Sequence, residues 1–157
     1  MKKIIKTITI IIYILIFLYA LIFIPLLFSY KPLVVQTNSM EPTLKVGEVI
    51  YIKTVNIKEI KENDIVTYSM SNGKLITHRV YKKTNEYLIT KGDRNNTVDS
   101  EKVYSKNLIG KSSKIAIPYI GFIISFIKEN YYIVFILILI IGLDFIINKN
   151  KSEEKKK

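Results

Sequence analysis

Between Lys6 and Lys31 the chain runs for 24 residues without a charge, and Ile, Leu and Phe dominate the stretch. As a helix rising about 1.5 Å per residue, residues 7–30 reach roughly 36 Å, enough to cross a hydrocarbon core of about 30 Å with some tilt. A removable leader is the competing reading, but its apolar region would be about 7 to 15 residues long and would end in a small-x-small cleavage site. This run is longer and ends Leu27-Phe28-Ser29-Tyr30. Residues 7–30 are therefore expected to be a permanent transmembrane helix. Pro25 falls near its outer end, where a membrane helix tolerates a kink.

A second apolar region is interrupted by Lys128 and Glu129. Residues 115–129 are too short to span and carry aromatics, so they are expected to form an interfacial segment. Residues 130–147 are expected to form a second transmembrane helix, with Asp144 tolerable only close to the far interface. Lys2, Lys3 and Lys6 precede the first helix; Lys149, Lys151 and Lys155 to Lys157 follow the second. Short Lys-rich flanks stay cytoplasmic, which puts both termini (residues 1–6 and the charged tail 148–157) inside a plasma membrane crossed more than once. Residues 31–114 are then outside, with 15 Lys and Arg against 9 Asp and Glu.

Charge and composition narrow the functions open to such a chain. The net charge is +11, but the basic residues are scattered among the strand-like runs and cluster chiefly beside the apolar regions, which favours anionic membrane lipid as the partner and not nucleic acid. No cysteine is present and His78 is the only histidine, so a disulfide framework, a thiolate metal site and a multi-histidine zinc site are excluded. No cofactor is expected.

From Pro32 onward the texture changes to short β-type runs separated by turn residues. Val34 and Val35 open it, and residues 48–53 and 64–68 follow. Asn72-Gly73 is a favoured pair for a two-residue hairpin turn, which places His78 on the returning strand. Residues 87–91 read as a further strand, ending at the turn Gly92-Asp93-Arg94-Asn95-Asn96. The expected fold class is a membrane protein with a mainly β extracytoplasmic domain between two transmembrane helices.

Each candidate for chemistry is weak alone. A turn serine is usually a turn former, and a strand histidine beside an arginine is usually a surface or core residue. Acyl transfer, however, needs a hydroxyl nucleophile, a base that titrates near neutrality and often a carboxylate to orient that base. His78 supplies the base type, and Asp93 and Asp99 lie within reach of one turn.

The combination is more specific. Asn38-Ser39-Met40-Glu41-Pro42-Thr43-Leu44, then Val46-Gly47-Glu48-Val49-Ile50, then Thr77-His78-Arg79-Val80, then Lys91-Gly92-Asp93-Arg94-Asn95-Asn96 with Asp99 six residues after Asp93, resembles type I signal peptidase. It is most similar to the endoplasmic-reticulum-type branch found in archaea and some Gram-positive bacteria, in which His replaces the Lys base. The resemblance covers roughly residues 31–120 and implies a membrane-bound serine endopeptidase that removes signal peptides from exported preproteins. It implies Ser39 as nucleophile, His78 as general base and then general acid, and Asp93 and Asp99 as the acidic pair, one of which orients the imidazole. Ser39 N–H and the Thr37 hydroxyl are the implied oxyanion donors. Asn38 stands where the family commonly has Gly, and Asn is the residue after Gly most tolerant of positive φ.

The resemblance also implies that the leader adds as a strand beside Val34, Val35 and Gln36, with small side chains in shallow pockets. Met40 is implied to lie buried beside that groove; an ordinary core contact explains it equally well. The implied partners are signal-peptide-bearing preproteins and the secretion translocon. The rival readings are a Ser-Lys peptidase with a lysine such as Lys74 as base, a silent membrane-anchored peptide-binding module, and a channel subunit.

Overall fold

The computed structural model describes residues 2–154; Met1 and the last three lysines of the charged tail lie outside the described residues. The chain divides into two units, one made of residues 24–124 and one of the segments that flank them.

In the flanking unit, helix α1 spans Lys2–Leu21, and helix α3 spans Tyr131–Glu154. Ile8, Ile11, Leu15, Phe17 and Leu18 of α1 are all exposed, so its apolar surface runs round most of the circumference, as a lipid-facing helix requires. Thr9 and Ile12, three apart and thus on one face, are buried, and α1 packs against α3. The expected helix over 7–30 ends early. Pro25 has no N–H to give to the carbonyl of Leu21 and its ring crowds that carbonyl, so the α-helix stops at Leu21 and a 3₁₀ turn, Ile24–Phe28, replaces it. Ser29, at φ 64°, then turns the chain into a strand, so Tyr30 belongs to the β-domain.

Residues 6–28 are long and apolar enough to cross a membrane, the one such segment among the described residues. Helix α2, Ile120–Glu129, is too short to do so alone, and a second crossing meets the same criterion only if α2 and α3 count as one broken span. Residues 115–129, expected as one interfacial segment, are divided between a strand and helix α2. Ile115, Ala116 and Ile117 belong to a strand, because Ala116 and Ile117 pair with Ile50 and Val49.

Residues 24–124 hold, among the described residues, seven antiparallel strands in one sheet: β1 Tyr30–Val34, β2 Val49–Lys53, β3 Ile65–Ser69, β4 Leu75–Lys83, β5 Tyr87–Lys91, β6 Val103–Tyr104 and β7 Leu108–Ile117. Their order is β1-β2-β7-β3-β4-β5-β6. Strand β7, last in the chain, thus lies between β2 and β3. Apolar side chains from the strands and their loops form two cores: Ile60, Val66, Tyr68, Val80, Leu88 and Val103 form one cluster, while Met40, Leu44 and Ile50 form another with Leu33, Val35, Ile65 and Ala116 around them.

The β3–β4 hairpin differs from the expected two-residue turn. Met70 N–H bonds Lys74 C=O and Gly73 N–H bonds Met70 C=O, leaving a three-residue loop, Ser71 to Gly73, with Gly73 at φ 80° in the left-handed position such loops need. His78 remains on β4 opposite Val66.

Gly110 marks the tightest crossing of β7 against β2. A Cβ at this position would lie 2.3 Å from the Lys53 carbonyl oxygen and 2.9 Å from Ile52 Cγ2, so backbone would have to move. Gly110→Ala is expected to cost about 1–3 kcal/mol of stability, read as a lower thermal midpoint in detergent; an unchanged midpoint would show that β2 and β7 can slide apart freely.

Candidate active site

Strand β1 delivers the chain to the serine. Val35 N–H donates to Glu48 C=O (2.9 Å) and Gly47 N–H to Val35 C=O (2.9 Å), so β1 stays paired up to the point where the loop departs. Within that loop Glu41 N–H bonds Asn38 C=O and Leu44 N–H bonds Met40 C=O, and Met40 is driven inward to 2 % exposure. The loop is also held from outside: Arg94 N–H donates to Ser39 C=O at 2.9 Å. That approach requires Gly92, where a Cβ would meet Ser39 O at 2.7 Å.

Ser39 Oγ lies 3.0 Å from His78 Nε2, and His78 Nδ1 lies 2.6 Å from Asp99 Oδ2. The tautomer that satisfies both contacts has its proton on Nδ1, donated to Asp99, and leaves Nε2 free to accept from the serine. His78 is buried and Ser39 half-buried, so the pair is shielded while the hydroxyl stays accessible. Asp99 is fixed in turn: its N–H donates to Thr90 C=O (2.8 Å), and its Oδ2 accepts from Thr90 Oγ1 (2.6 Å) and Tyr68 Oη (3.0 Å). Burial pushes the Asp99 carboxyl up, but the bonds from His78 and Thr90, the charge at His78 and the Tyr68 bond outweigh it and hold the group below the usual carboxylate range.

Asp93 stands elsewhere. It forms a two-pronged ion pair with Arg79, Nε to Oδ1 at 2.8 Å and Nη2 to Oδ2 at 2.7 Å. Arg79 extends the same group to Thr43 Oγ1 (3.2 Å) and Asn63 C=O (2.9 Å). For Asp93 too, burial pushes upward, while Arg79 and Thr43 bonds and the Arg79 and His78 charges carry the carboxyl below its ordinary value. Of the two candidate acids, Asp99 touches the histidine and Asp93 braces the serine loop.

Thr37 is exposed, with Oγ1 3.4 Å from Ser39 Oγ. Asn38 lies outside the positive-φ region, so the backbone here does not need the glycine-like freedom expected of it. Val34, Val35 and Gln36 lie on the edge strand and just past it. Because Val35 turns its N–H and C=O toward β2, its neighbours Val34 and Gln36 turn theirs to the open side. Pro32 falls in the same alternation and so has its missing donor at the edge, where the ladder loses nothing. Met40 is buried and packs with Leu44 and Ile50, a core position in the loop that carries the serine. Tyr68, Thr90 and Arg79 were not among the expected site residues. The inward alternation of β5, with Leu88 and Thr90 both buried, was legible only as packing.

A hydroxyl hydrogen-bonded to an imidazole whose other nitrogen is held by a carboxylate suits acyl transfer, and on a β-domain that follows a membrane-length apolar segment in the chain it fits a membrane-associated serine endopeptidase. The family described as signal peptidase, peptidase S26, matches residues 4–112, and this chain belongs to that family. It is similar to the signal peptidase complex catalytic subunit SEC11 of Lodderomyces elongisporus, 34% identical over 124 residues that make up 70% of this chain and 73% of the relative. It is likewise similar to SEC11 of Candida dubliniensis, 32% identical over 130 residues, 73% of this chain and 76% of the relative. Signal peptidase I W of Bacillus subtilis is 30% identical over 99 residues, which cover 60% of this chain and 52% of the relative.

Proposed function

We propose that this signal peptidase cuts leader segments from exported preproteins with Ser39 as nucleophile, His78 as base and Asp99 as the carboxylate that orients His78. The observation that carries the reading is the continuous path from Ser39 Oγ to His78 Nε2 at 3.0 Å and from Nδ1 to Asp99 Oδ2 at 2.6 Å. Ser39 Oγ attacks the scissile carbonyl while Nε2 takes its proton; Asp99 stabilises the imidazolium, which then protonates the leaving amine. Water, activated by the same imidazole, hydrolyses the resulting ester. Ser39 N–H and the Thr37 hydroxyl face the developing oxyanion, and Thr37 Oγ1, 3.4 Å from the nucleophile, is near enough to reach it. The leader lies in extended form along the open edge of β1 at Val34 and Gln36, bonded through its main chain. Asp93 acts through Arg79 and Thr43 on the loop that carries Ser39.

The Lys-rich flanks support a chain anchored by two membrane helices in a plasma membrane, with both termini cytoplasmic and the β-domain outside. The leader's own apolar segment occupies the same bilayer, so anchoring raises the effective concentration of the cleavage site. Lipid headgroups meet the basic flanks, and the secretion translocon supplies the preproteins.

The test uses full-length protein in detergent with several leader-bearing precursors and locates each cut by N-terminal sequencing. A Ser39-dependent cut after a small residue is expected; no such product from any precursor would refute the reading. Because only a neutral imidazole accepts the serine proton, kcat/KM is expected to fall as pH is lowered, and Asp99, held below the usual carboxylate range, stays ionised through that decline. A pH-independent kcat/KM between about 5 and 8 would remove His78 from the role of base.

A further inference from the structure

We propose that Thr90 and Tyr68 are positioning residues of the cleavage reaction, acting on Asp99 and through it on His78. The inference rests on the reading of Asp99 as the carboxylate that orients His78.

The sheet register brings the group together. Tyr68 on β3 stands two residues from Val66, the partner of His78, and Thr90 on β5 pairs with Val80, two residues beyond His78. Side chains two apart share a face, so Tyr68, His78 and Thr90 project from the same side of three adjacent strands. The rest of that face is apolar: Val66, Val80, Leu88 and Val103 are fully buried there. Thr90 is 0 % and Tyr68 3 % exposed, and hydroxyls so placed are costly unless hydrogen-bonded. Both are spent on one atom, Asp99 Oδ2, which also receives His78 Nδ1. Thr90 has a single hydroxyl proton, and its 2.6 Å approach to Asp99 uses it better than the 3.1 Å approach to Tyr68 Oη. Burial pushes the Tyr68 hydroxyl far above its ordinary range, so it remains a donor at any working pH.

A core that needed only packing would be served by Val and Phe at these positions, since replacing hydrogen-bonded groups by apolar ones of the same shape is often nearly neutral. Two donors on Oδ2 do something packing does not. They fix the carboxylate's rotation, so that it meets Nδ1 in line, and they disperse its charge. With either donor removed, more of that charge is directed at His78, the imidazolium is stabilised, and the base holds its proton to higher pH. The other titratable or charged groups facing the cluster are Asp93, whose carboxyl senses the charge at His78; Arg79, paired with Asp93; and Glu101, which acts on Tyr68. All three are unchanged in the variants below.

The test measures kcat, KM and the pH profile of kcat/KM on a leader-bearing precursor, with full-length enzyme in detergent, for Thr90→Val, Tyr68→Phe and Thr90→Ser, each with and without Asp99→Asn. Thr90→Val and Tyr68→Phe are each expected to lower kcat about tenfold, leave KM within about twofold and move the acid limb to higher pH. Thr90→Ser keeps the donor and is expected to restore both. In the Asp99→Asn background the two substitutions are expected to have no further effect on kcat. Should Asp99→Asn be crippled while Thr90→Val and Tyr68→Phe keep the wild-type kcat and acid limb, the positioning role is refuted. A loss of activity that merely follows the folded fraction, with the pH profile unmoved, refutes it too. Full activity in Asp99→Asn itself would instead overturn the reading of Asp99 on which the proposal stands.

Discussion

Ser39→Ala, His78→Ala and the double variant are all expected to lose activity by about the same factor, on the order of 10⁴ to 10⁶ in kcat. The equality is the informative part. A serine hydroxyl is a poor nucleophile until a base takes its proton, and an imidazole 3.0 Å away has nothing to activate once the serine is gone. The two groups act as one unit, so the second removal costs almost nothing after the first. Precursor cleavage by purified variants, with folding checked by thermal midpoint in detergent, measures this. If His78→Ala kept activity while Lys74→Ala lost it, the base would be the lysine, and the Ser-Lys reading would replace the present one.

Asp99→Asn is expected to lower kcat by about 10⁴ with little change in KM. The amide can no longer accept the Nδ1 proton at full strength, and the imidazole is free to adopt the tautomer that leaves Nε2 unable to serve as base. Asp93→Asn is expected to behave differently, because Asp93 holds Arg79 and not the histidine. Weakening that two-pronged pair is expected to cost about 1–3 kcal/mol, with activity falling only as folded protein is lost. The pH dependence has a definite sign. Both carboxyls lie below their ordinary value in the folded chain, while the unfolded chain takes up its protons near pH 3.9. Their contribution is therefore fully present above about pH 4 and is lost as pH falls through the lowered native values. The gap in thermal midpoint between wild type and Asp93→Asn should be smaller at about pH 3 than at about pH 7; a gap of the same size at both would show that the carboxylate's charge contributes nothing.

Much of the sheet was legible because its pleats are filled by local runs of β-branched and aromatic residues. The strand expected at 87–91 is β5 to the residue, that expected at 48–53 starts one residue before β2, and that expected at 64–68 is shifted by one residue from β3. Besides the two-residue β6, the start of β1 and the whole of β7 were hidden, for different reasons. The start of β1, Tyr30 with Lys31 and Pro32, overlaps the end of the apolar run and carries a proline that suits an edge position. Strand β7 mixes Gly110, Lys111, Ser112 and Ser113 with apolar residues at its ends, and its pairing partners lie 40 or more residues upstream, beyond the reach of local pattern. The choice between Asp93 and Asp99 was illegible for a related reason. Asp93 lies in the turn and Asp99 just after it, and what separates them is a main-chain bond from Asp99 to Thr90 and an arginine that claims Asp93. Met40 was half legible: its burial followed from its type, but its neighbours, Leu44 and Ile50, show a core residue under the loop.

The position of β7 bears on when this protease comes into being. Ser39 follows β1 and precedes β2, whereas His78 and Asp99 belong to β4 and the loop after β5; among the sheet's pairings only β7 joins the two groups. A ribosome makes β7 last of the seven, so a growing chain that already contains the serine, the histidine and both aspartates still has no ladder to bring them within bonding distance. The sheet that holds Ser39 beside His78 is thus complete only when residues 108–117 have paired with both β2 and β3.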